Sequence, residues 1–219
     1  MVKFKVKYFP YFLFQVDFMK DIKRIVLTGG PCSGKSTFIE MATDIFSKKG
    51  YRVFVDHESA TDLITGGISP ASMGMYQFQK YCIGLQKKKE ELFLMAAEEI
   101  DKDKVLIFYD RALLDNKGYV TPEEFSEILR DLDIDEMSIC DRYDLVLHLT
   151  TTAMNNVQFY SFINNAARYE SVDEARRIDN TILDSWSVHP NRIVIKDEIS
   201  FENKISNAIK AIGEYVVNN

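Results

Sequence analysis

Gly29-Gly30-Pro31-Cys32-Ser33-Gly34-Lys35-Ser36-Thr37 follows directly on Arg24-Ile25-Val26-Leu27-Thr28, a short β-branched run. The pattern is G-x-x-x-x-G-K-[ST] where a strand passes through a loop into a helix, the setting that gives it meaning. Phosphate oxygens need many N–H donors on a small arc, and glycine lets backbone approach where a Cβ would clash. Lys35 adds a point charge for the β- and γ-phosphates, and Ser36 offers a hydroxyl to Mg²⁺. The helix opening near Lys35 aims its dipole and free N–H groups at the anion. The stretch Gly29 to Thr37 is therefore read as the cradle of a nucleoside triphosphate, ATP or GTP, carried with Mg²⁺.

Outward from this loop, strand and helix signals alternate, which predicts a parallel sheet covered on both faces. The expected strands are 24–28, 51–55, 105–109, 145–149 and 192–195. The expected helices are 35–48 closed by Gly50, a long one over about 72–100, a short one opening at Thr121, and a last one over 201–217. Thr121 and Glu124 have capping-box spacing. Residues 153–186 read as largely helical, polar and arginine-rich, a candidate lid. In such a sheet, ligands sit outside the carboxyl ends of the strands. Chemistry is thus sought just after each strand.

Asp110 closes an apolar strand and is the second candidate Mg²⁺ ligand beside Ser36. Arg111 is placed to face the transferred phosphate, since a guanidinium suits bidentate phosphate contact. Glu58, after the second strand, is the candidate for holding or deprotonating an acceptor hydroxyl, with helix capping as its structural alternative. Arg168 and Arg176 fall on one helical face and are expected to close over the phosphates. A plain surface helix, with Arg176 and Arg177 paired to Asp173 or Glu174, is the alternative. The catalytic set is thus Lys35, Glu58, Asp110, Arg111, Arg168 and Arg176. Tyr76-Gln77-Phe78-Gln79 suits a nucleobase pocket, although an aromatic stripe at helical spacing is more often core, and His189-Pro190-Asn191 is read as a rim of a purine pocket. His57, His148 and His189 lack metal-ligand spacing.

With 219 residues, the chain fits one domain with ample apolar content for a core. A net charge of −6 argues against a nucleic-acid partner, whose footprint is a basic face. Cys32, Cys82 and Cys140 are isolated, which favours a reducing, cytoplasmic setting. Residues 1–21 read as an N-terminal extension, with Met19 an alternative start, and 22–219 as the domain. The aromatic patch within 1–21 is split by Pro10 and too short to span a bilayer, so membrane contact is not expected.

Taken in order, several segments resemble the NadR/TRPL-translocation-defect type of AAA P-loop domain. They are the loop at 29–37, Glu58-Ser59-Ala60-Thr61-Asp62-Leu63-Ile64, Asp110-Arg111-Ala112-Leu113-Leu114-Asp115, Arg142 to Leu149, Ala167-Arg168-Tyr169-Glu170 and Trp186 to Pro190. The resemblance implies a three-layer α/β P-loop fold, a five-stranded parallel sheet in the order 2-3-1-4-5, and a helical lid. It looks related to ribosylnicotinamide kinases and, more distantly, to nucleoside and thymidylate kinases. By it, Glu58 and Asp110-Arg111 match the acceptor-side carboxylate and the Asp–Arg strand end.

The leading expectation is a phosphotransferase moving the γ-phosphate of a Mg-nucleotide to a small metabolite. The alternative, motivated by the same relatives, is a slowly hydrolysing nucleotide switch with a phosphoinositide or protein partner. No guanine-reading Asn-Lys-x-Asp follows the fourth strand, where Thr150-Thr151-Thr152-Ala153 stands. Asp110-Arg111 also replaces the Asp-Glu expected of a remodelling ATPase.

Overall fold

The computed structural model describes residues 20–154, 171–196 and 200–218. Five strands, β1 (Asp21–Thr28), β2 (Arg52–Asp56), β3 (Lys104–Asp110), β4 (Leu145–Leu149) and β5 (Arg192–Ile195), form one sheet in the order β2-β3-β1-β4-β5. Every neighbouring pair is parallel. Leu27 pairs with Asp110 on one side of β1, and Thr28 pairs with His148 on the other. All five strands therefore end at the same edge, and the central one delivers the phosphate loop. The expected α/β fold and strand order are both present.

Alternation along the strands sends side chains to two separate cores. On one face Val26, Val105, Ile107 and Val146 meet α4 (Met75–Glu99), α5 (Pro122–Asp131), α6 (Val172–Ser185) and Trp186. On the other, Ile25, Leu27, Leu106, Phe108 and Leu147 meet α1 (Lys35–Lys48) and α7 (Phe201–Asn218). Both faces being covered, the three inner strands read as near-continuous apolar runs. Each fully buried Ile, Leu or Phe contributes about 1.5–3 kcal/mol, so the sheet is the rigid base on which the loop stands.

Two shorter helices, α2 (Ser59–Thr65) and α3 (Pro70–Met73), fill the connection after β2. The helix expected over about 72–100 is in fact two. Gly74 stands at φ 85°, ψ 156°, which ends α3 and starts α4. Only glycine enters that region without steric cost, so the break lies at the one residue that allows it. The Thr121 capping box is present, with Glu124 N–H donating to Thr121 Oγ1 at 3.2 Å and Thr121 N–H to Glu124 Oε2 at 2.8 Å. β1 begins at Asp21, whose N–H donates to Asp103 at 2.8 Å, so the sheet starts earlier than the strand expected from 24.

Candidate functional site

The loop's shape follows from its glycines and its two flanks. Gly29 stands at φ 133°, and a Cβ there would lie 2.1 Å from the Leu149 carbonyl oxygen. Gly34, at φ 93°, caps α1 with no side chain to satisfy the helix's first N–H groups. Those donors are left pointing out of the helix end, the arrangement that receives an anion. Cys32, at φ 57°, also takes the left-handed conformation, an uncommon state for a residue with a Cβ and one that curls the loop back on itself. Pro31 and Ser33 are buried, whereas Ser36 and Thr37 are exposed at the mouth.

Lys35 is folded over this cradle. Its Nζ donates to Gly29 O (3.0 Å), Gly30 O (3.1 Å) and Ser33 Oγ (3.1 Å). Burial, reinforced by the Arg111 guanidinium, lowers its pKa to about 8. An ammonium parked on neutral carbonyls in this way gains when a polyphosphate replaces them as its partner.

The β2/β3 flank carries the charges. Arg111, immediately after β3, adopts φ 73° while its N–H reaches Leu27 O at 3.0 Å. This turn brings Nη1 to Gly29 O (3.1 Å) and Nε to Glu58 Oε1. Glu58 does not cap α2 with its side chain, as the structural alternative required; its other oxygen accepts from Thr61 Oγ1 at 2.7 Å. Burial works against its ionised form, but Arg111 and Lys35 overcome this and hold the carboxyl down to about 2. Asp110 is the converse: burial and the Glu58 carboxylate push it up to about 6, against Lys35 and Arg111. Its Oδ1 is buried with no hydrogen-bond partner.

The β4 flank holds the loop by its backbone. Thr151 Oγ1 donates to Pro31 O, and Thr152 Oγ1 to Cys32 O at 3.1 Å. The most engaged residue here is one that sequence reasoning missed, Asp179 of α6. Its Oδ1 accepts from Gly30 N–H (2.6 Å) and Thr151 N–H (3.3 Å) and lies 3.3 Å from His148 Nε2. Burial disfavours its charge, yet His148 and these N–H groups keep its pKa below the usual value. A Cβ on Gly30 would come 2.8 Å from Asp179 Cβ, so glycine and clamp fit as a pair. Behind the loop, Asp115 plays a similar part. It accepts from Thr28 Oγ1 and from Trp186 Nε1 (2.7 Å), pinning the last residue of β1.

Lys35, Glu58, Asp110 and Arg111 are thus brought together. Arg176 is engaged elsewhere: its Nε donates to Ala153 O (2.7 Å) and its Nη1 to Asp173 Oδ1 (3.1 Å), the surface pairing weighed above. Arg168 lies outside the described residues. The purine-rim reading of His189 does not hold. His189 precedes β5 and so lies at the amino end of the sheet, away from the loop. There its Nε2 donates to Tyr143 O (3.1 Å) and its Nδ1 accepts from Asn191 N–H (3.1 Å). Tyr76 packs against the core, and Gln79 is buried beneath it on α4.

A parallel sheet in this order, with a glycine loop and lysine over the end of its central strand, defines a P-loop nucleotide-binding protein. Comparison with family models agrees: residues 24–204 match the family described as AAA domain, and the chain belongs to it. A search of curated proteins found no match. Among the described residues, no cluster of His, Cys, Asp and Glu is suited to hold a metal by itself, and no helix is long and apolar enough to cross a membrane.

Proposed function

We propose that this protein is a phosphotransferase that moves the γ-phosphate of Mg-ATP or Mg-GTP to a hydroxyl of a small metabolite. The observation that carries this reading is the convergence of Arg111 and Lys35 on the Gly29 carbonyl, with Glu58 paired to Arg111 at the mouth of the loop. A nucleotide-holding loop alone needs no second carboxylate–guanidinium pair at the γ-phosphate end. A transfer site needs one group for the acceptor and one for the charge in flight.

Ser36 and Asp110 fit Mg²⁺. Ser36 is exposed at the mouth, and Asp110 has a buried oxygen without a partner, a cost that a cation would relieve. Bound there with the nucleotide, Mg²⁺ would neutralise charge on the β- and γ-phosphates. A Glu58 held near 2 is ionised but a weak base, which suits it to orienting the acceptor hydroxyl rather than keeping its proton. Arg111 trades the Gly29 carbonyl for the phosphoryl oxygens as negative charge builds. The domain is taken as 22–219, with 1–21 as an extension whose last residue, Asp21, already joins β1.

The test is transfer from γ-labelled ATP or GTP to a panel of nucleosides, nucleotides and ribosylnicotinamide. Label is expected on one acceptor class, and Glu58→Gln is expected to slow transfer by about 100-fold or more with nucleotide affinity retained. Label released only as slow free phosphate would overturn the transferase reading.

A further inference from the structure

We infer that Phe201, the first residue of α7, is the platform on which the nucleobase stacks. The inference rests on the nucleotide reading above and adds the place of the base. The sheet order fixes which way a nucleotide lies. Asp110, Arg111 and Glu58 stand on the β3/β2 side of the loop, so the β- and γ-phosphates point there. The nucleoside must then leave toward the opposite side, where β4 ends and α1 and α7 begin next to one another.

Phe201 occupies that side. Its ring edge comes 2.7 Å (Cε2) and 3.2 Å (Cζ) from the point where a Cβ on Gly34 would stand, so the glycine is what allows the ring so close to the loop. Phe201 as a residue is 39% exposed, and among the described residues it is the only phenylalanine left exposed. Other phenylalanines of this face, such as Phe38, Phe46 and Phe108, are sealed in the core. The platform is also held firmly. Lys204, one turn on, donates from Nζ to Thr150 O, tying the first turn of α7 to the end of β4. A part-exposed aromatic residue at a fixed helix end, beside the loop and opposite the catalytic charges, offers π-stacking to a heterocycle. Such stacking tolerates different bases, since each has a π-face. Phe201 therefore supplies affinity for the nucleoside and leaves base choice to other groups.

The experiment compares Mg-ATP, Mg-GTP and inorganic tripolyphosphate binding to the full chain by calorimetry. Phe201→Ala is expected to weaken binding of the favoured nucleotide by about 10-fold, within the range for loss of one stacked base, while tripolyphosphate affinity stays within about two-fold. Phe201→Trp is expected to keep nucleotide affinity, and its fluorescence to be quenched by nucleotide but not by tripolyphosphate. The chain's single native tryptophan, Trp186, is fully buried and supplies a constant background. Equal losses for nucleotide and tripolyphosphate would show that Phe201 merely props the loop and would overturn the inference, as would unchanged nucleotide binding. A wild-type chain that binds tripolyphosphate but gains nothing from a nucleoside refutes the platform alone; one that binds neither refutes the nucleotide site as well.

Discussion

One flank of the phosphate loop holds its backbone, and the other crowds charges at its mouth. On the β4/α6 side the loop backbone is gripped: Asp179 Oδ1 takes two backbone N–H groups and sits against His148, and the threonines close on loop carbonyls, although Asp179 Oδ2 and both His148 ring nitrogens are buried without a hydrogen bond. On the β2/β3 side, charges are crowded and incompletely paired. Asp110 keeps an orphan oxygen and a raised pKa, and Lys35 is lowered by its surroundings. Hydrogen bonds spent on the loop's own backbone fix its shape, whereas charges crowded at its mouth are set to re-pair with an anion and its cation. The first flank is therefore read as scaffold and the second as the chemistry.

That division makes the largest effect on folding fall on the scaffold side. Asp179→Ala strands two N–H groups and a buried histidine, and is expected to cost about 3–5 kcal/mol of stability in chemical denaturation. Asp179→Asn keeps an acceptor and should cost less. On the chemical side Lys35→Ala should weaken Mg-nucleotide binding roughly 100-fold, as expected for a lost charge-assisted contact, with little change in melting temperature. If Lys35→Ala instead unfolds the protein, the division of labour is wrong. A third buried charge, remote from the loop, serves as a control. Glu90 accepts from Arg142 Nε (2.9 Å) and Tyr143 Oη (2.8 Å), yet burial pushes it up to about 7. The folded state then holds a proton that the unfolded chain releases near 4.5. Its contribution is fully present below that value and is lost as pH rises through 7. Melting of the wild type should therefore fall relative to Glu90→Gln between pH 5 and 8. The smallest effect is expected at Thr152→Val, about 1 kcal/mol for one hydrogen bond to the loop, with nucleotide affinity nearly unchanged.

Legibility in the sequence followed how local each signal was. Gly29 to Ser36 could be read because one loop carries its glycines, lysine and hydroxyl at fixed spacing. The strand order was reached through family resemblance, since alternation of strands and helices gives a parallel sheet but not its sequence of neighbours. Glu58, Asp110 and Arg111 were found by asking which residues follow strands. The same rule, applied to His189, would have excluded it, because that residue precedes its strand. Gly74 lies inside the stretch whose periodicity predicts one helix, and periodicity alone does not show that its backbone turns there. Asp179 had no local mark: it is one acid on an amphipathic helix, and its partner Gly30 is 149 positions away in the chain. Arg176 shared a helical face with Arg168 on paper, but periodicity cannot tell a guanidinium aimed at a phosphate from one bound to a nearby carbonyl.

The span between Gly30 and Asp179 also sets an order of events during synthesis. The loop is made early and its clamp late, so a growing chain holds the nucleotide-binding sequence long before it holds the helix that gives the loop its working curve. Until α6 emerges and docks, the Gly30 N–H lacks its Asp179 acceptor. Growing chains that have not yet added α6 should therefore bind Mg-nucleotide more weakly than chains that include it.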